Sequence, residues 1–358
     1  MPWLRRTLWI VVGTLGVLVV AAAPASAHTV SGQGATNFRT SLTSVSPPLA
    51  GLSVRSVELG SQLELTWTGA DDVIVLGYQG EPYLRVGPGG VARNRLSPST
   101  YLNQTRLGGS PIPPNADPKA PPEWVTISDG RTVRWHDHRT HWMGGTLPRP
   151  VRLTPGTFHN VFHWDVMVSH NGQPITVTGT LDWVPGSSPW PWWGLVAIMA
   201  VVGAAGGATR RWATALLVWT ALIVGVDVVH ALGSGLAFVG SVPHRVLLVI
   251  AGSYYSVIAW GLGVVAVRLL ARRSVDGLFA ALFAALVIGL FGGLADVTAL
   301  TRSQVPFAFG DVADRALVAI SIGGALGVTI GSVVAFRRNR PEPGDAGAEN
   351  VTGAAPAV

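Results

Sequence analysis

The sequence predicts an all-β sandwich followed by an all-α multi-helix transmembrane bundle. Three observations lead there. Mean hydropathy is +0.40 and charged residues make up only 12% of the 358, a balance too apolar for a chain wholly in water. The first half, past its N-terminal segment, is rich in Pro, Gly, Ser and Thr and carries short alternating apolar runs. The second half carries long apolar runs, several of them closed by arginines.

The net charge of +6 is almost wholly arginine, since Lys119 is the only lysine. Arginines at the ends of apolar runs orient membrane segments, so this basicity is not a nucleic-acid footprint, and no nucleic-acid partner is expected. Cysteine is absent. That excludes disulfides, thiolate zinc sites, iron–sulfur clusters and cysteine nucleophiles, and leaves nitrogen, oxygen or thioether groups to hold any metal.

Residues 1–27 have the form of a secretory signal peptide: Arg5 and Arg6, an apolar stretch from Leu8 to Val20, then Ala25-Ser26-Ala27 as the cleavage site. An uncleaved anchor helix is the other reading. Cleavage after Ala27 makes His28 the first residue, and a terminal histidine offers both its α-amine and a ring nitrogen to one ion. A nitrogen-rich site of this kind favours Cu(II) over the other divalent ions.

Residues 28–185 are the exported domain. Alternating runs at Val54 to Leu59, Gln62 to Trp67, Val73 to Tyr78, Tyr83 to Val86, Val125 to Ile127, Thr132 to Trp135, Val161 to Val168 and Ile175 to Trp183 predict strands. Gly87-Pro88-Gly89-Gly90 and Asn171-Gly172 supply turns. Many short strands with turns between them predict an immunoglobulin-like or cupredoxin-like sandwich. The polar, proline-broken residues 93–123 are expected to be loop.

Three of the nine histidines fall in Trp135-His136-Asp137-His138-Arg139-Thr140-His141-Trp142-Met143. On a strand, His136 and His138 point to one face and can share an ion, with His141 or the Met143 thioether nearby. The competing reading is a polar strand edge whose histidines face water. His159 and His163 share parity, but four residues of strand separate them by about 13 Å, so packing roles suit them better. Met143 and Met167 are thioether candidates for Cu(I), though core filling suits both.

The segment Trp164 to Pro174, followed by Gly179-Thr180-Leu181-Asp182-Trp183, resembles the closing hairpin of CopC-type periplasmic copper-binding proteins. His28 and Ser46-Pro47-Pro48-Leu49-Ala50-Gly51 resemble that family too. The likeness covers the two ends of the exported domain. The family's aspartate and histidine ligands would fall near Asn171 and Gln173, with His170 out of register, so its own site does not carry over. A terminal histidine with Trp-His-x-His is similar to the exported copper subunit of particulate methane monooxygenase, which implies His28, His136 and His138 as ligands.

Residues 186–337 form the transmembrane domain, entered through Pro185-Gly186-Ser187-Ser188-Pro189 and an aromatic anchor of Trp190, Trp192 and Trp193. Five spans are expected, at about 190–208, 212–233, 244–268, 277–299 and 314–336. Arg210 and Arg211, then Arg268, Arg272 and Arg273, then Arg337, Arg338 and Arg340, mark three ends as cytoplasmic. Residues 338–358 then form a disordered cytoplasmic tail. Gly203, Gly206, Gly292 and Gly293 suit close helix packing. Asp227, His230, His244 and Asp296 are ionisable residues within or beside the spans, and are candidates for a polar relay or for structural pairs between helices. A membrane part after such a domain also resembles fusions of CopC with the CopD-type permease.

These readings converge on a membrane-anchored exported protein for copper capture, handling or transport at the cell envelope, passing the ion to its own helices, a cuproenzyme or a copper-transport partner. The alternative is a structural or interaction module of an envelope complex without a metal role. An enzyme finds little support: no serine–histidine–acid set, phosphate loop or paired carboxylates stands in a convincing context.

Overall fold

The structure, a computed structural model, describes residues 34–339. The signal segment, His28 and most of the C-terminal tail lie outside the described residues.

Among the described residues, ten strands form two antiparallel sheets. They are β1 (Phe38–Ser46), β2 (Leu52–Val57), β3 (Gln62–Trp67), β4 (Val73–Leu76), β5 (Pro82–Gly87), β6 (Gly90–Asn94), β7 (Trp124–Ser128), β8 (Thr132–Trp135), β9 (His159–His170) and β10 (Gln173–Trp183). The seven-stranded sheet runs β1-β10-β9-β4-β5-β6-β7, and the three-stranded sheet runs β2-β3-β8. Alternation aims Val73 and Val75 of β4, Val166 and Val168 of β9, and Ile175 and Val177 of β10 inward. They meet Leu63, Leu65 and Trp67 of β3 and Trp135 of β8 in one apolar cluster. The β9–β10 hairpin turns at Asn171 and Gly172, with φ of 50° and 76°, the left-handed pair a two-residue turn requires.

Glu64 crosses the small sheet between two arginines. Arg55 on β2 and Arg134 on β8 face it in register, and their Nε atoms donate to its carboxylate at 2.6 and 2.5 Å. Burial alone would raise the Glu64 pKa, but these two partners outweigh it and hold it below the ordinary carboxylate value.

Two expectations about the sheet domain are corrected. The strand from Val54 is β2, and it stops at Val57. Glu58–Gly60 follow as a tight 3₁₀ turn with φ of 52° at Glu58 and 54° at Leu59. Residues 93–123 are not all loop, because Ser99–Leu102 forms a short helix α1, tied down by the Glu81 carboxylate. Ser97 and Ser99 hydroxyls each donate to Glu81 at 2.7 Å. A second short helix, α2 (Arg149–Leu153), precedes β9.

The helical part comprises α3 (Trp190–Ala208), α4 (Trp212–Leu236), α5 (Val242–Gly252), α6 (Tyr254–Ala271), α7 (Asp276–Val287) and α8 (Asp311–Arg338). Between α7 and α8, Ile288–Gly293 is a π-helical turn and Leu294–Leu300 a 3₁₀ segment. Among the described residues, five helical stretches are long and apolar enough to cross a membrane, which fits a multi-pass membrane protein. The third expected run, 244–268, is not one helix: it divides at Ser253 into α5 and α6.

The chain forms two compact units. The first holds the sheets together with Leu232–Gly252 and Asp296–Asp314, and the second holds Trp190–Ala231, Ser253–Ala295 and the chain from Arg315. In the first, Thr36 bridges to Gln304, and the Asn37 side chain accepts from the Ser303 amide at 2.8 Å. In the second, α3 packs on α8 through small residues. A Cβ on Gly207 would lie 2.0 Å from the Gly331 carbonyl oxygen, so backbone meets backbone there.

Candidate functional site

The histidine motif does not continue as a strand. β8 ends at Trp135, and His136 begins a turn, so the expected alternation of His136 and His138 on one strand face is corrected. The cause is Asp137, a side chain with no solvent exposure. Its carboxylate accepts from Trp135 Nε1 at 3.0 Å and from Arg139 Nε and Nη2 at 2.8 Å each. The Asp137 carbonyl also takes the Thr140 amide and hydroxyl, and the Thr140 carbonyl accepts from the Thr40 hydroxyl on β1 at 2.7 Å. A buried carboxylate with this many donors closes the chain into a compact turn. Arg139 also lies over the Tyr78 ring, 4.9 Å from its centroid.

Two of the three imidazoles are tied to backbone carbonyls. His136 Nδ1 donates to the Ser61 carbonyl at 2.8 Å, and His138 Nε2 donates to the Thr105 carbonyl at 3.1 Å. A carbonyl can only accept, so His136 Nδ1 and His138 Nε2 carry protons, and in the neutral ring His136 Nε2 and His138 Nδ1 are the acceptors. The His138 amide is held by the Tyr78 hydroxyl, which itself donates to Asn103. His141 packs edge-on against His138 with ring centroids 5.7 Å apart, is 2% exposed, and makes no hydrogen bond of normal geometry at either ring nitrogen. Burial pushes its pKa down to about 4, helped by the positive charge of Arg106. Burial lowers His136 as well. Burial therefore favours the neutral form of His136 and His141 in this turn. Among the described residues, however, no three His, Asp or Glu side chains are grouped closely enough to hold one metal ion. Met143 stands 40% exposed and supplies no buried thioether.

Asp137 and Arg106 are the residues that sequence reasoning passed over. An aspartate set between two histidines was a usable sign of a turn. Arg106 lay unremarked in the stretch taken as loop. His159 and His170 are each accounted for locally. His159 Nε2 lies 2.9 Å from the Thr154 carbonyl, and His170 pairs with Asp71 at 2.9 Å.

Of the candidate relay residues, Asp227 and His230 belong to the second unit and are 1% and 2% exposed on α4. Trp260 Nε1 of α6 donates to Asp227 Oδ2 at 2.7 Å. The π-helical turn brings Gly292 so close that a Cβ there would lie 1.8 Å from Asp227 Oδ1. His244, which is exposed, and Asp296 belong to the first unit. There Glu58, on the strained turn, lines a cavity of about 420 Å³ with Phe238 and Phe307. Burial raises its pKa against the opposing influence of the Val239 amide, Arg134 and His244. No protein family, curated protein or solved structure matches this chain.

Proposed function

We propose that the chain is a membrane-anchored protein that captures copper at the cell envelope. His136, His138 and His141 serve as internal ligands, and His28, once residues 1–27 are removed, serves as the chelating terminus. The observation that carries this reading is His141, a buried neutral imidazole whose nitrogens make no hydrogen bond of normal geometry and have only a weak approach to the Trp142 backbone. Leaving a buried polar group unsatisfied costs about 1–3 kcal/mol, which a bound ion offsets. The free Nε2 of His136 and Nδ1 of His138 add donors of the same kind, and an all-imidazole set suits Cu(II) best among the divalent ions. His136 Nδ1 on the Ser61 carbonyl is the arrangement that orients a metal-binding imidazole.

Within this reading the two sheets form an immunoglobulin-like or cupredoxin-like sandwich of the CopC kind, facing outward, and the C-terminus is cytoplasmic. Asp227, His230, His244 and Asp296 relay the ion or its protons, and a cuproenzyme or transport partner receives it.

The test is a Cu(II) titration of the detergent-solubilised full chain. One preparation starts at His28, a second carries one extra glycine before it, and EPR reports the nitrogen ligands. One-to-one binding, weakened at least about tenfold by the extra glycine, by His138→Ala and by His141→Ala, is expected. Equal, weak binding by all four proteins refutes the copper reading.

A further inference from the structure

Beside the histidine turn lies a cavity of about 350 Å³, within the range of small-molecule sites. Its walls include Phe38, Leu107, Trp142 and Leu147, and its charged group is Arg106. The Phe38 and Trp142 rings are nearly parallel, at 14°, giving flat apolar surfaces. The Arg106 Nε–H is buried without a hydrogen-bond partner. Among the described residues no carboxylate pairs with this guanidinium, and burial, with nothing opposing it, pulls its pKa below the ordinary value. Arg106 is half-buried, and a guanidinium drawn partly out of water with its Nε–H unpartnered is stabilised by a counter-charge. Residues 28–33, His-Thr-Val-Ser-Gly-Gln, contain no acid, so the segment that precedes Gly34 cannot supply the missing charge.

We propose that this cavity is a binding site for small organic carboxylates, with Arg106 holding the carboxylate and the Phe38, Trp142 and Leu147 walls holding an apolar body. The guanidinium fork matches a carboxylate in geometry and supplies the counter-charge that the fold leaves out. The apolar walls select an organic acid over inorganic phosphate, which would leave them wet. The inference is independent of copper, and the site works in metal-free protein.

Isothermal titration of the metal-stripped, detergent-solubilised full chain with benzoate tests it. One site per chain is expected, weakened at least tenfold by Arg106→Gln and in part by Arg106→Lys. Benzyl alcohol and inorganic phosphate should each bind at least tenfold more weakly than benzoate. Arg106→Gln removes an uncompensated charge, so this variant should melt no lower than wild type. No benzoate binding by wild type, equal binding by Arg106→Gln, or equal binding of either comparison compound overturns the proposal. A lower melting temperature for Arg106→Gln does so too, because it would mean that the guanidinium is already satisfied. Loss of copper binding with benzoate binding retained would sink the copper reading alone.

Discussion

Replacing Asp137 by alanine strips the histidine turn of its centre. The side chain is fully buried and accepts from Arg139 twice and from the Trp135 indole. Its loss leaves the Arg139 guanidinium, only 23% exposed, with one remaining hydrogen bond, at 3.3 Å to the Leu76 carbonyl, besides the Tyr78 ring, and orphans the indole N–H. Breaking a buried pair by removing one partner costs about 3–5 kcal/mol. For a domain of this size each kcal/mol moves Tm by about 2–4 °C, so the sheet domain should melt about 6–20 °C lower. Tryptophan fluorescence of the solubilised chain during a thermal ramp reads the change. Asp137→Asn, which keeps an acceptor and loses the charge, should fall between. Pairing Asp137→Ala with Arg139→Met should recover part of the loss, since the stranded charge goes with it. A shift under about 2 °C for Asp137→Ala would refute the claim that this carboxylate holds the turn.

Two further outcomes follow from the packing and the charges. Burial raises the Glu81 pKa, but the Ser97 and Ser99 hydroxyls outweigh it and hold the carboxyl below its ordinary 4.5. A depressed folded value contributes stability that is present above the unfolded pKa and is lost as pH falls through the folded one. Denaturant midpoints of the sheet domain should therefore drop as pH falls from about 5 toward 3. Glu81→Gln should be less stable than wild type at pH 7, with a flatter acid limb; an unchanged limb would rule out this assignment. Gly292→Ala places a methyl group against Asp227 Oδ1 and should cost about 1–3 kcal/mol. Thermal aggregation in detergent measures it. Asp227→Ala in the same chain should make the loss less than additive, and full additivity would mean that the two do not touch in the folded protein.

What the sequence made legible was local. Val73 and Val75 are buried by simple alternation, and Asn171-Gly172 turns because both residues accept positive φ. Gly292 and Gly293 were picked out as close-packing residues, and a Cβ on Gly293 would meet Ile322 at 2.8 Å. The histidine turn was not legible, because what ends β8 is the set of distant partners that Asp137, His136 and His138 find. Ser61 and Thr105 lie far from the motif in sequence and present backbone carbonyls, which have no residue signature. Arg106 was invisible for the same reason: a polar loop residue declares its burial only once Phe38 and Trp142 stand beside it. The break at Ser253 escaped because hydropathy averages over a run and cannot register a change of helix axis.

The ties between Thr36–Phe38 and Ser303–Gln304 bear on how the protein is made. Gln304 donates to the Phe38 carbonyl across 266 residues of chain. A ribosome adding about 5–20 residues per second needs roughly 15–50 s between those two points. The edge strand β1 therefore emerges early and waits for its last partners until the intervening apolar helices have been synthesised. For that interval the large sheet can assemble around β9 and β10 with its N-terminal margin incompletely fastened, a window in which a holdase or an early-folding neighbour decides the yield.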